Sequence, residues 1–331
     1  MKRLSTRTVI GTAAASMLLA LTACGGNVGS GDSSKEYPSG PVTLTVGQAA
    51  GGSSDLVARS VADGLGKDLG VAVPVVNKPG ANGALATQEV SGKNADGYNL
   101  VMLNASLITI TPLAVSENEA VDIADLDVLM GLSQDDYVLV ASPAAGVKTL
   151  DDIINSPVDF TYGTAGVGTG SQLAQSVLFK QAGITGTEVP FDSGNPALTA
   201  VLGNQVQLAT IQLGEAKPQI DAGKVVPVVV FSSERNTFLP DVPTAVEEGY
   251  DVPVAQYRAV AAPKGLPEDV KARLVEGIEA AVEEQQYKDF NEKSLLTPKV
   301  ISGEEVVTEW TALGEKYRSL TEELDISLSG N

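Results

Sequence analysis

The sequence predicts an α/β protein of two facing lobes, and three observations predict it. Short β-branched or apolar runs alternate twice with helical stretches, the pattern of a parallel sheet covered by helices. Three strand-to-helix junctions are rich in glycine and hydroxyl residues: Gly51-Gly52-Ser53-Ser54-Asp55, the stretch from Gly163 to Ser171, and Asp192-Ser193-Gly194-Asn195-Pro196. Hydrophobic residues make up 43% of the chain and aromatics only 5%, a composition suited to close packing of helices on sheets. At 331 residues the chain is long enough for two domains of ordinary size.

The elements follow in order. Residues 42–46 read as a strand and 54–69 as a helix with Leu56, Val57, Val61 and Leu65 on one face. Residues 71–76 read as a strand; K-P-G-A-N-G then turns into a helix near 84–91, and a strand at 99–103 closes into N-A-S. A second series starts after a strand at 137–141. It comprises helices at 150–154, 172–181, 197–203 and 215–222, and strands at 160–162, 187–191, 207–211 and 225–231. The last part returns to helix at 267–284, with Val270, Leu274, Ile278 and Val282 four residues apart, and at 306–324, carrying Trp310, Leu313 and Leu320. Both helices are expected to pack back on the first lobe. The expected lobes are 39–141 plus 257–331, and 142–256, with hinges near Ser142–Pro143 and Val254–Tyr257.

The N-terminus reads as a targeting signal over residues 1–23. Lys2, Arg3 and Arg7 precede an apolar run too short to span a bilayer. Leu21-Thr22-Ala23-Cys24-Gly25 then has the lipobox pattern, in which the cysteine becomes the lipidated N-terminus. Cys24 is the chain's single cysteine, so no disulfide or cysteine cluster can form within it. The Gly/Ser-rich segment from Cys24 to Pro38 reads as a flexible tether. An extracytoplasmic protein, held at the membrane only through its lipid, is the expectation.

Charge and residue usage exclude several functions. The net charge of −19 argues against nucleic acid and anionic lipid surfaces as partners. With no histidine, a Ser–His–Asp triad, a Cys–His pair and most zinc sites are excluded. No cofactor or metal is called for.

The three junctions point to anion capture. Free N–H groups at a helix start, with about half a positive charge from the macrodipole, favour an anion there. A nucleotide site fails on detail: the second loop lacks G-K-[ST], and G-V-G-T-G is not G-x-G-x-x-G. Taken singly, each loop is a helix cap; three in equivalent positions point to a cleft at the carboxyl ends of the strands. Asp55 is expected to support its helix rather than touch an acid. Arg258, in the extended run Q-Y-R-A-V-A-A-P, either clamps a carboxylate bidentately or pairs with one of the surplus acids. K-P-G at 78–80 reads as a turn.

An ordered series of segments carries a family resemblance. It comprises G-G-S-S-D-L-V-A-R (51–59), V-V-N-K-P-G-A-N-G (75–83), A-D-G-Y-N-L (95–100), Y-G-T-A-G-V-G-T (162–169), V-P-F-D-S-G-N-P-A-L-T-A-V-L-G (189–203), A-G-K-V (222–225), L-P-D-V-P-T (239–244) and A-P-K-G-L-P (262–267). Over about residues 41–325 the chain resembles the substrate-binding proteins of tripartite tricarboxylate transporters, the TctC or Bug family. The resemblance implies a two-lobed, type II-like periplasmic-binding-protein fold, each lobe a mainly parallel sheet flanked by helices, with a ligand cleft between. It also implies ligand contacts through backbone N–H groups and hydroxyls at Gly52, Ser53 and Ser54, and at Asn104, Ala105 and Ser106. In the second lobe these fall at Thr164, Ala165, Gly166, Gly168, Thr169 and Ser171, and at Ser193, Gly194 and Asn195. Where the family often has Asp-Asn, this chain has Ile211-Gln212; where it often has Trp, this chain has Tyr257 followed by Arg258. Gln212, Tyr257 and Arg258 therefore join the candidate site.

The resulting expectation is a monomeric, non-enzymatic lipoprotein. It captures a small di- or tricarboxylate or aromatic acid by hinge closure and delivers it to integral-membrane permease subunits. A receptor presenting the acid to a membrane sensor kinase is the alternative, and a secreted α/β transferase a more distant one.

Overall fold

A computed structural model describes residues 37–329. The signal segment, Cys24 and the tether through residue 36 lie outside the described residues. The chain begins with β1 (Thr43–Val46), α1 (Ser53–Leu69), β2 (Val75–Asn77), α2 (Ala84–Ser91), β3 (Asn99–Asn104) and α3 (Ala105–Thr109). A 16-residue strand, β4 (Leu126–Ala141), follows. Next come α4 (Leu150–Ile154), β5 (Phe160–Thr164), α5 (Gly170–Ala182), β6 (Gly186–Pro190), α6 (Gly194–Leu202), β7 (Leu208–Gln212), α7 (Leu213–Asp221) and β8 (Val226–Val230). The chain closes with β9 (Ala255–Pro263), α8 (Glu268–Glu283), α9 (Gln285–Lys293), β10 (Thr297–Ser302) and α10 (Gly303–Glu323). Among the described residues no helix is long and apolar enough to cross a membrane.

The expected parallel order holds within two blocks, β2-β1-β3 and β6-β5-β7. The sheet as a whole is mixed, with strand order β2-β1-β3-β9-β4-β7-β5-β6, because β4 and β9 join the blocks antiparallel to their neighbours. Along β4, Leu126–Asp136 pairs with β9 and Tyr137–Ala141 pairs with β7. The strand thus passes from one block to the other at Asp136–Tyr137. The expected boundary after residue 141 would leave Tyr137–Ala141 with the first block, whereas the register sets them against the second.

Helix placement follows the apolar spacing, with two exceptions. Val57, Val61 and Leu65 of α1 are fully buried against Leu274 and Ile278 of α8, each contributing roughly 1.5–3 kcal/mol of burial. The helices approach closely because Gly64 and Gly277 stand between them: a Cβ at either would lie 2.7 Å from a partner atom. Leu56, expected on the buried face, is 43% exposed. The second exception is α10. Its first turns pack Val306 and Trp310 with Leu103 and Leu126, whereas Leu313, Tyr317 and Leu320 join the cluster of Leu139 and Phe231 in the second half. This helix therefore braces both halves rather than the first alone.

Candidate functional site

The carboxyl ends of both parallel blocks open onto one cavity of about 740 Å³, within the usual range for a small-ligand site. Its first wall is the β1–α1 loop. Gly51, at φ +82, makes the turn. Its N–H donates to Asp55 Oδ2 at 2.8 Å, and Arg59 Nε (3.0 Å) and Asn77 Nδ2 (2.8 Å) also donate to that carboxylate. Burial alone would push the Asp55 carboxyl up; these donors outweigh it and hold it below the usual carboxylate range. Asp55 therefore ties down its own loop, as the sequence suggests.

Ser53 and Ser54 line the cavity, but their hydroxyls are already engaged. Arg258 Nη2 donates to Ser53 Oγ (2.9 Å) and Arg258 Nε to Ser54 Oγ (3.1 Å). Ser53 Oγ in turn donates to Asp135 Oδ2 (3.3 Å) and Ser54 Oγ to Asn104 Oδ1 (2.9 Å). Arg258 pairs with Asp135 at 3.4 Å, and both side chains are fully buried. Arg258 is thus the floor beneath the serines, and its placement supports the ion-pair reading over the carboxylate clamp.

The second wall separates three loops that look alike in sequence. In the β5–α5 loop the donors are consumed locally. Ala165 N donates to Ser171 Oγ (2.8 Å), Gly168 N to Gln172 Oε1 (2.8 Å), Thr169 Oγ1 to Gly166 O (2.6 Å), and Gln172 N to Thr169 Oγ1 (3.4 Å). By contrast, the N-cap residues of α1 and α6 make no side-chain cap, although at the start of α1 the Ser53 backbone N–H is already turned to Glu215. Both starts face the cavity, through Gly52–Ser54 and Ser193–Asn195.

Of the sequence-predicted residues, Gly52, Ser53, Ser54, Asn104, Ala165, Gly166, Thr169, Ser193, Gly194, Asn195 and Gln212 line the cavity. The others do not, each for a physical reason. Ala105 is buried in the core with Leu103 and Leu107. Ser106 Oγ accepts from Asn82 Nδ2 (3.0 Å) and Gln256 Nε2 (3.1 Å) behind the wall. Thr164 Oγ1 is turned to Glu188 (2.7 Å), and Ser171 is the buried partner of Ala165. The Gly168 carbonyl accepts from Asn82 Nδ2 (3.2 Å) and Thr111 Oγ1 (3.0 Å), joining the two walls. Strand alternation sends Gln256 to the cavity and Tyr257 away from it, beneath Lys299 Nζ at 5.6 Å.

Sequence reasoning missed Tyr137, Gln256 and Glu215, and the first two have no local signal in the sequence. Pro79, Gly80 and Asn82 also line the cavity, so the K-P-G turn is part of the wall. For Glu215 a signal existed: an acid in the first turn after a strand, as at Asp55. Burial is the main cause that pushes the Glu215 carboxyl up to about 7; the Asp135 charge adds to it, while Arg258 and the Ser53 backbone N–H oppose it. Burial likewise raises Asp135 to about 6, against the pull of Arg258.

A raised carboxyl means the folded state binds its proton more tightly than the unfolded chain. The stability Glu215 contributes should therefore fall as pH rises from 4.5 to about 7. Denaturant unfolding of the wild type and Glu215→Gln across this window checks it: the wild type should lose stability relative to the variant, and parallel curves would contradict it.

Known proteins share this architecture. The tripartite tricarboxylate transporter family receptor model matches residues 57–308. A UPF0065 protein from the TAR-I ttuE–ttuC′ intergenic region of Agrobacterium vitis is 34% identical over 254 residues, covering 75% of this chain and 73% of that protein. Protein BugT of Bordetella pertussis is 29% identical over 261 residues, 76% and 79% of the two chains. Among solved structures, the periplasmic binding protein BugD superposes with a TM-score of 0.81 at 26% identity, covering 88% of this chain and 99% of that one. MatC from Rhodopseudomonas palustris with bound malate gives 0.74 at 25% identity, covering 88% and 100%. With the family model matching most of the chain and the two-walled cleft in place, the chain belongs to the tripartite tricarboxylate transporter (TctC/Bug) family of solute-binding receptors.

Proposed function

We propose that this chain is an extracytoplasmic lipoprotein, anchored through Cys24, that captures a small organic carboxylate and hands it to the membrane permease of a tripartite tricarboxylate-type transporter. The observation that carries the reading is the convergence of two uncapped helix starts, α1 and α6, on one cavity. Backbone N–H groups there neutralise a carboxylate without a lysine or arginine in the lining. The malate bound by MatC supports the ligand class.

Capture proceeds by closure of the two halves about the points where the chain crosses between them, Asp136–Tyr137 in β4 and Val254–Ala255 at the start of β9. The closed form keeps the Asn82–Gly168 bond that spans the cleft, and the acid favours that form because both walls touch it. The protein acts as a monomer, performs no chemistry on its ligand and needs no cofactor.

A thermal-shift panel of dicarboxylates, tricarboxylates, aromatic acids and amino acids tests the ligand class. At a hundredfold excess over Kd the bound acid should add about 2.7 kcal/mol of stability. Stabilisation by uncharged compounds alone would overturn the reading.

A further inference from the structure

We propose that the Glu215 carboxylate stands in for the ligand's own: it holds the anion position between the starts of α1 and α6, and an entering acid binds with uptake of a proton that neutralises it. The proposal rests on the carboxylate reading above. Glu215 is the third residue of α7, the place that Asp55 holds in α1. Asp55 takes the N–H of its own loop, from Gly51. Glu215 makes no such bond to its own loop, and α7 has no side-chain cap. The backbone N–H that points to Glu215 is that of Ser53, on the first wall at the start of α1.

The same carboxylate reaches the other helix start. A Cβ added at Gly194, the first residue of α6, would overlap Glu215 Oε2 and lie 3.1 Å from its carboxyl carbon. Glycine is needed there because the carboxylate is seated against the α6 backbone. An anion between two helix starts is where both dipoles favour it. These are the two starts that would take a ligand carboxylate, and Glu215 lines the same cavity. A tethered carboxylate therefore already occupies the anion position.

Two carboxylates sharing one site do not both stay ionised. The groups that face Glu215 are Asp135 and Tyr137 from β4, Arg258 from β9 and the Ser53 N–H from α1; α6 brings no titratable residue. Burial and the Asp135 charge raise the Glu215 carboxyl to about 7, against Arg258 and the Ser53 N–H. The charged residues that line the cavity are Asp192 and Glu215, so no lysine or arginine there offsets a second anion. A bound acid adds its charge and raises the Glu215 carboxyl further. Between the two values the complex holds more protons than the free protein, so affinity falls as pH rises, by at most about tenfold per unit. Below the lower value Glu215 is already neutral and affinity levels off. The proton comes from solvent and stays on Glu215.

Calorimetric titration of L-malate, L-glutamate and benzoate, whose carboxyls stay ionised from pH 6 to pH 8, tests this on the wild type and Glu215→Gln. For an acid that binds, wild-type affinity should fall about five- to tenfold over that range. Buffers of differing ionisation heat should show about half a proton taken up per acid at pH 7, where Glu215 is half ionised. Glu215→Gln, which lacks the competing charge, should hold its affinity within about twofold across the range and bind at least about fivefold tighter than the wild type at pH 8. Glu215→Ala takes its place should the amide not fold. A level wild-type profile without proton uptake overturns the proposal, as does a slope that survives both variants. Weaker binding by a folded variant at pH 8 also overturns it, since Glu215 would then be a supporting contact. In each of these cases an acid still binds and the carboxylate reading stands; silence across these acids and the wider panel overturns both.

Discussion

Arg258→Ala should lower the unfolding free energy by about 3–5 kcal/mol, the range for removing one partner of a buried ion pair. The side chains of Arg258 and Asp135 are fully buried, and Asp135 Oδ1 has no hydrogen-bond partner even in the intact protein. Without the guanidinium, Asp135 keeps a buried charge facing Asp136 and the Ser53 hydroxyl. Ser53 and Ser54 also lose the donors that orient them. The loss should shrink toward pH 5, because Asp135, already raised to about 6, then takes up a proton. Adding Asp135→Asn should recover part of the stability by removing the charge. A loss below about 1 kcal/mol, typical of an exposed pair, would show that Arg258 is not the keystone of the floor.

Gly47→Ala should cost about 1–3 kcal/mol of stability, as for overpacking a close-packed interior, and weaken ligand binding as well. A Cβ at Gly47 would lie 2.3 Å from the Gly83 Cα and 3.1 Å from its carbonyl oxygen, so the clash is with backbone that no rotamer change relieves. Gly47 lies in the β1–α1 loop and Gly83 just before α2. Both loops carry lining residues: Gln48, Ala49, Ala50 and Gly52 through Ser54 on one side, Pro79 through Asn82 on the other. Forcing them apart displaces the bond from Gln48 Nε2 to the Asn82 carbonyl (3.3 Å) and disturbs the Asn82 contact with Gly168. Denaturant unfolding and ligand titration should move together. A variant as stable as the wild type, with unchanged affinity, would mean that the two loops are not mechanically joined.

The parallel blocks were legible because each strand–loop–helix unit is local: a β-branched run, a glycine or serine junction, then a helical period. What joins them was not. The first eleven residues of β4, L-D-V-L-M-G-L-S-Q-D-D, carry three acids and a glycine, a poor strand signal by propensity. Each acid has a partner far along the chain: Asp127 accepts from the Gly265 N–H, Asp135 from Arg258, and Asp136 from Asn236. Gly131 is required where Ile301 of β10 crowds the strand. The short edge strand β10, interrupted by Pro298, went unread for a similar reason.

The same division holds at the cleft. The helix-start loops at Gly52–Ser54 and Ser193–Asn195 were found from local chemistry. Tyr137, Gln256 and the role of Arg258 depend on the pairing of β4 with β9 and were not. The β5–α5 loop shows the opposite error: rich in glycine and hydroxyls, it spends most of its donors on itself.

The most direct test of the account is calorimetric titration of an acid from the panel against the wild type and Ala165→Trp. Ala165 lines the cavity from the second wall, and an indole there should take up part of the ligand's space. The account predicts that the variant remains folded and loses measurable binding of the acid. An unchanged Kd in the folded variant would place the acid elsewhere and contradict the assignment of this cleft.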